Sequence, residues 1–167
     1  MKYRNTILIV DDDITILNML RNSLSLEGYD CETASNARDA LEIIEKANFD
    51  LMVTDINMHG MSGFEMTKKV KHLRPDLKII IMTGLTNDFS YDAAIRAGAT
   101  DFIKKPFSLQ ELSARINQMK IREDLRKRLR ELEEFYDIAI GRELKIKQLM
   151  DQIEELKEKL KESKGHG

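Results

Sequence analysis

The sequence has a single cysteine, Cys31, in 167 residues. That excludes an internal disulfide and a thiolate metal cluster, and it fits a reducing cytoplasm. It also lacks an excess of charge of either sign. With 27 basic residues against 29 acidic ones the net charge is −2, so nothing in the balance calls for a nucleic-acid partner. No apolar run approaches the roughly 18 residues of a membrane span. The short polar stretch Met1 to Asn5 does not read as a secretory signal. The expectation is a soluble cytoplasmic protein with neither membrane nor DNA as partner.

The C-terminal part lacks proline altogether, and its only internal glycine is Gly141. Of the 47 residues in 121–167, 24 are charged, twelve of each sign. Such a stretch can hardly fold as a compact unit, but it can form a long solvated helix with one apolar seam. The length suits one ordinary domain plus an appendage. A boundary near Lys120 is expected, with a domain over 1–120 and a helical tail over 121–167.

The first 120 residues alternate short β-like runs with amphipathic stretches, as in a parallel sheet covered on both faces by helices. Ile7-Leu8-Ile9-Val10 is a continuous apolar run of the kind a buried parallel strand shows, and it ends in Asp11-Asp12-Asp13. A helix follows over 14–27, stopped by Gly28. Further strands are expected over 29–34, 51–54, 78–82 and 100–103, with helices over 37–46, 64–73 and 91–97. Ser108-Leu109-Gln110-Glu111 reads as a capping box that opens the last helix.

In an open parallel sheet the functional crevice lies beyond the carboxyl ends of the strands. Three or more carboxylates, one hydroxyl and one ammonium converge there: Asp11, Asp12 and Asp13, then Asp55, Thr83 and Lys105. Crowded carboxylates repel unless a cation neutralises them. Oxygen-only donors point to a hard ion, and Mg²⁺ suits them. A carboxylate beside such an ion can attack phosphorus to give an aspartyl phosphate. Each residue also has a plainer reading. Asp13 reads as a helix N-cap. Asp55 alone would pass for a loop carboxylate, and Thr83 for a routine strand-end hydroxyl. Lys104 reads as a solvated cation, His59 as an exposed and inert loop histidine, and Cys31 as a small core residue.

Four runs, in this order, resemble those of response-regulator receiver domains of two-component signalling. They are Ile-Leu-Ile-Val-Asp-Asp-Asp, Asp-Leu-Met-Val-Thr-Asp-Ile-Asn-Met-His-Gly-Met-Ser-Gly-Phe, Ile-Ile-Ile-Met-Thr-Gly and Ala-Gly-Ala-Thr-Asp-Phe-Ile-Lys-Lys-Pro-Phe. The resemblance covers about residues 5 to 120. It implies an α/β fold with a doubly wound, flavodoxin-like sheet of strand order 2-1-3-4-5. It implies Asp55 as phosphoacceptor from a sensor histidine kinase or phosphotransfer protein. Asp11, Asp12, Asp55 and the backbone carbonyl of Asn57 would hold Mg²⁺. Thr83 would be the switch hydroxyl and Phe102 the switch aromatic. Lys105 would pair with the phosphoryl group from a cis Lys-Pro bond, and Gly84 would keep the site open. Such a protein catalyses its own phosphorylation and slow dephosphorylation but is no enzyme toward other substrates. Asn57 and Leu85 match positions that influence dephosphorylation rate. One departure stands out: His59 occupies a position usually held by Pro, which should loosen the loop after Asp55.

In the tail, heptads place Leu125, Leu132, Ala139, Ile146, Ile153 and Leu160 at position a, with Ile121, Phe135, Leu149 and Leu156 at d. The run from Ile146 to Leu160 favours a parallel homodimer. Arg128 and Arg142 interrupt the seam, so a bundle or a partner's groove stays open as well. Gly141 marks a possible break. Because the last receiver helix should run into the tail, phosphorylation of Asp55 is expected to bear on how the tail helices associate. Two other readings compete: a degenerate receiver that serves as a phosphorylation-independent coiled-coil scaffold, and a phosphatase of the haloacid dehalogenase type. Asp11-x-Asp13-x-Thr15 fits the motif of the second by coincidence, and the cap domain is missing.

Overall fold

The computed structural model describes residues 6–84 and 91–164. Strands and helices alternate: β1 Thr6–Val10, α1 Ile14–Leu26, β2 Asp30–Ala34, α2 Ala37–Lys46, β3 Leu51–Asp55, α3 Gly63–Leu73, β4 Lys78–Thr83, α4 Tyr91–Arg96, β5 Asp101–Lys104 and α5 Leu109–Lys164. The sheet has the order β2-β1-β3-β4-β5, and all of its pairings are parallel. This is the doubly wound arrangement expected from the sequence.

Continuous apolar strands form here because both faces of the sheet are covered. Leu8, Val10, Met52, Ile79 and Ile81 join Ala40 and Ile44 of α2 and Met66 and Val70 of α3 in one buried cluster. The alternate residues Ile7, Ile9, Val53, Ile80 and Met82 point the other way and are equally buried. Helix starts follow local chemistry. Asp13 caps α1 by accepting from the Thr15 N–H at 2.8 Å, as expected. Ser62 and Glu65 form a complete capping box at the start of α3. At α5, the Glu111 N–H donates to Ser108 Oγ at 3.1 Å.

The strand and helix ends move by about one residue from the expected bounds; α3 begins at Gly63, and β5 shifts at both ends, to Asp101–Lys104. Cys31 is only half-buried, because β2 lies at the edge of the sheet. The possible break at Gly141 does not occur, and α5 continues through it. One glycine costs about 1 kcal/mol in a helix interior, too little to stop a helix that is regular on both sides.

The chain divides into two units, 1–116 and 117–167. The described residues of the second, 117–164, are all helical, and every residue in 121–157 is exposed. Among the described residues, no helix is long and apolar enough to cross a membrane.

Candidate functional site

Parallel pairing brings the carboxyl ends of the strands to one edge, and the chemistry-bearing residues collect there. Asp11 follows β1 directly and is buried, with its N–H donating to Ala34 O at 3.3 Å. Asp55 closes β3 and Thr83 closes β4, and both side chains are buried. Lys105 follows β5, joined to Pro106 by a cis peptide bond as expected. Lys104 is exposed, also as expected.

The Lys105 ammonium donates to Asp11 Oδ2 at 2.8 Å and lies 2.8 Å from Asp55 Oδ1. The remaining oxygens are held from the backbone: the Asp13 N–H donates to Asp11 Oδ1 at 2.9 Å and the Asn57 N–H to Asp55 Oδ2 at 2.9 Å. Asp12 is reached from the loop after β3. The His59 N–H donates to its Oδ2 at 3.1 Å, and His59 Nδ1 lies 2.6 Å from the same oxygen. Ligand atoms of Asp11, Asp12 and Asp55 all fall within 4.8 Å of one another.

Charge follows this geometry. Burial pushes the Asp11 carboxyl up, although Lys105 works against the shift. Burial disfavours the Lys105 ammonium, but the bonds and charges of Asp11 and Asp55 outweigh it and hold its pKa above the ordinary lysine value. The hydrogen bond from His59 holds the Asp12 carboxyl below its usual range. Among the described residues, the Lys105 ammonium thus meets two of the three clustered carboxyl groups, all of which offer oxygen. That donor set fits a small divalent cation such as Mg²⁺ and offers little to a soft metal.

Asp13 faces its own helix as a cap. Thr83 Oγ1 donates to Gly84 O at 3.1 Å. Phe102 is half-buried against the core cluster. Asn57 is exposed, and it is its backbone N–H that donates to Asp55. Among the described residues, a Cβ on Gly84 would meet Asn57 Nδ2 at 3.9 Å, an ordinary contact. Leu85 lies outside the described residues.

Two features escaped the sequence reading. His59 is exposed but not inert, since it grips Asp12. Gly63 is required by contact: a Cβ there would collide with the Asp55 carbonyl oxygen, and its own N–H donates to Ile56 O at 2.9 Å. The Ser-x-x-Glu signature at Ser62 marks the helix start that makes this approach, and it was available in the sequence.

Comparisons with known proteins agree with this geometry. The family model described as "Response regulator receiver domain" matches residues 7–117. Response regulator MprA of Mycolicibacterium vanbaalenii is 37% identical over 113 residues, covering 68% of this chain and 49% of that protein. MprA of Mycobacterium leprae is also 37% identical over 113 residues, with 68% and 50% covered. The chain therefore spans about half the length of the curated relatives it matches. Among solved structures, a CheY-like receiver domain protein from Methanospirillum hungatei aligns with TM-score 0.68 and 35% identity, covering 72% of this chain and 96% of that one. Response regulator TrrA of Thermotoga maritima, solved in complex with Mg²⁺-BeF, aligns with TM-score 0.62 and 33% identity, covering 68% and 97%.

Proposed function

This chain belongs to the response regulator receiver domain family, and we propose that it accepts a phosphoryl group on Asp55 and passes the change to an associating C-terminal helix. The observation that carries the first half is the Lys105 ammonium bridging Asp11 and Asp55, at 2.8 Å from each, at the edge where three carboxyl groups converge.

The donor is a phosphohistidine on a sensor kinase or phosphotransfer protein. A carboxylate oxygen of Asp55 forms the new P–O bond while the P–N bond breaks, and the imidazole leaves with the electron pair. The Asn57 N–H and Lys105 fix the Asp55 carboxylate before attack, so little reorganisation is needed. Lys105 then balances charge on the phosphoryl oxygens. Thr83, one strand away from Asp55 and buried, is the hydroxyl that turns to bond the phosphoryl group, and Phe102 is the aromatic that responds. Asp11, Asp12, Asp55 and the Asn57 carbonyl are the residues that would hold Mg²⁺. When bound, that ion neutralises the acidic cluster and the charge developing in transfer.

For the second half, the support is the apolar seam of the tail. Ile146, Leu149, Ile153 and Leu156 follow a/d spacing and are all exposed in the single chain. A helix with a solvated apolar stripe gains by pairing, and Ile at a with Leu at d favours a parallel dimer. A cytoplasmic location suits a kinase partner of this kind.

Intact-protein mass after incubation with acetyl phosphate and Mg²⁺ tests the acceptor. One phosphoryl adduct that needs Mg²⁺ is expected. No adduct, together with no binding of beryllofluoride, would favour a scaffold without phosphotransfer.

A further inference from the structure

The cluster at the strand ends contains one contact that the phosphoryl-transfer reading does not use. His59 reaches Asp12 across 47 positions of sequence with two donors on one oxygen, the backbone N–H at 3.1 Å and Nδ1 at 2.6 Å. The imidazole itself is fully exposed, so burial does not hold it there. Gly60, next in the chain, has φ +86, a left-handed turn that glycine adopts without cost. Asp12 is the least buried of the three clustered aspartates and lacks the lysine contact that fixes the other two. Apart from its own backbone N–H, His59 supplies the hydrogen bonds found on this carboxylate among the described residues, so its loss would loosen the carboxylate toward solvent.

We propose that His59 is a positioning residue that holds the Asp12 carboxylate toward Asp11 and Asp55, so that the cluster takes up Mg²⁺ more tightly than it would with proline at position 59. This inference rests on the reading of Asp11, Asp12 and Asp55 as the cation site. Its physical basis is the orienting of a metal ligand by an outer partner, whose loss commonly weakens metal binding by about 10- to 100-fold. Proline at this position would remove both donors at once, the ring nitrogen and the backbone N–H.

The test is an NMR titration of the full chain with MgCl₂, following amide shifts of the loop after Asp55, in wild type, His59→Ala, His59→Asn and His59→Pro. Ala removes only the side-chain donor. Asn places an amide N–H close to where the ring carries Nδ1, and Pro removes both bonds. Affinity should fall about ten-fold in His59→Pro and less in His59→Ala, and it should return toward wild type in His59→Asn. A melting curve for each variant separates these losses from unfolding. Affinities equal to or tighter than wild type in the Ala and Pro variants would overturn the proposal, as would an Asn variant no better than Ala. A wild type that takes up no Mg²⁺ would overturn the reading of the site itself, and this proposal with it.

Discussion

The two units of this chain spend similar side chains in opposite ways. In the first, isoleucine, leucine and methionine vanish into a core: Leu8, Ile9, Met52, Ile80 and Met82 are all 0% exposed. In the second, Leu132, Ile146, Ile153 and Leu156 are more than half exposed, though each is as apolar as its counterpart in the sheet. The difference is architectural. Alternating strands and helices can enclose their own apolar surface, whereas one helix has nothing to close on. The receiver unit is therefore expected to be stable alone, and the tail to draw its order from association.

Four substitutions probe that contrast, beginning with the largest effect. Lys105→Ala removes the ammonium that bridges Asp11 and Asp55. Phosphorylation from acetyl phosphate should slow by about 10²–10³-fold, measured by adduct formation over time, while the tail's association in the unphosphorylated protein stays unchanged. Gly63→Ala forces a Cβ against the Asp55 carbonyl. A loss of about 3 kcal/mol of receiver stability is expected from the overpacking, read from denaturant melts of the receiver unit's near-UV signal.

In the tail, Ile153→Lys puts a charge into the proposed seam at an exposed position. Sedimentation should show dimer dissociation raised at least about ten-fold, with phosphorylation at the wild-type rate. A dimer that survives this change would locate self-association elsewhere. The smallest effect is expected from Gly141→Ala. Nothing lies within 4 Å of the new Cβ, so only helix propensity changes. The tail should gain about 1 kcal/mol, visible as a later loss of helical circular dichroism on heating.

How legible all this was follows the same divide. The strands could be read because buried parallel strands are continuous apolar runs, and the five aspartate, threonine and lysine positions followed because they end those runs. Asp13 was correctly separated from the cluster by its capping chemistry. What depends on contact between distant segments was hidden. The approach of Gly63 to Asp55 and the grip of His59 on Asp12 leave no periodic trace in sequence. Gly141 left a break open for another reason: propensity is a local cost, and a 56-residue helix outweighs it. Cys31 was expected in the core because it sits in a strand, but strand order makes that strand an edge.

The central claim is that Asp55 is the phosphoacceptor. Borohydride reduces an aspartyl phosphate to homoserine, which marks the modified residue permanently. The full chain would be treated with acetyl phosphate and Mg²⁺, reduced, digested, and mapped by peptide mass spectrometry. Homoserine at position 55 alone, absent without Mg²⁺ and absent in Asp55→Asn, is the predicted result. Homoserine at position 11 or 12, or an unmodified Asp55 in a chain that carries an adduct elsewhere, would contradict it.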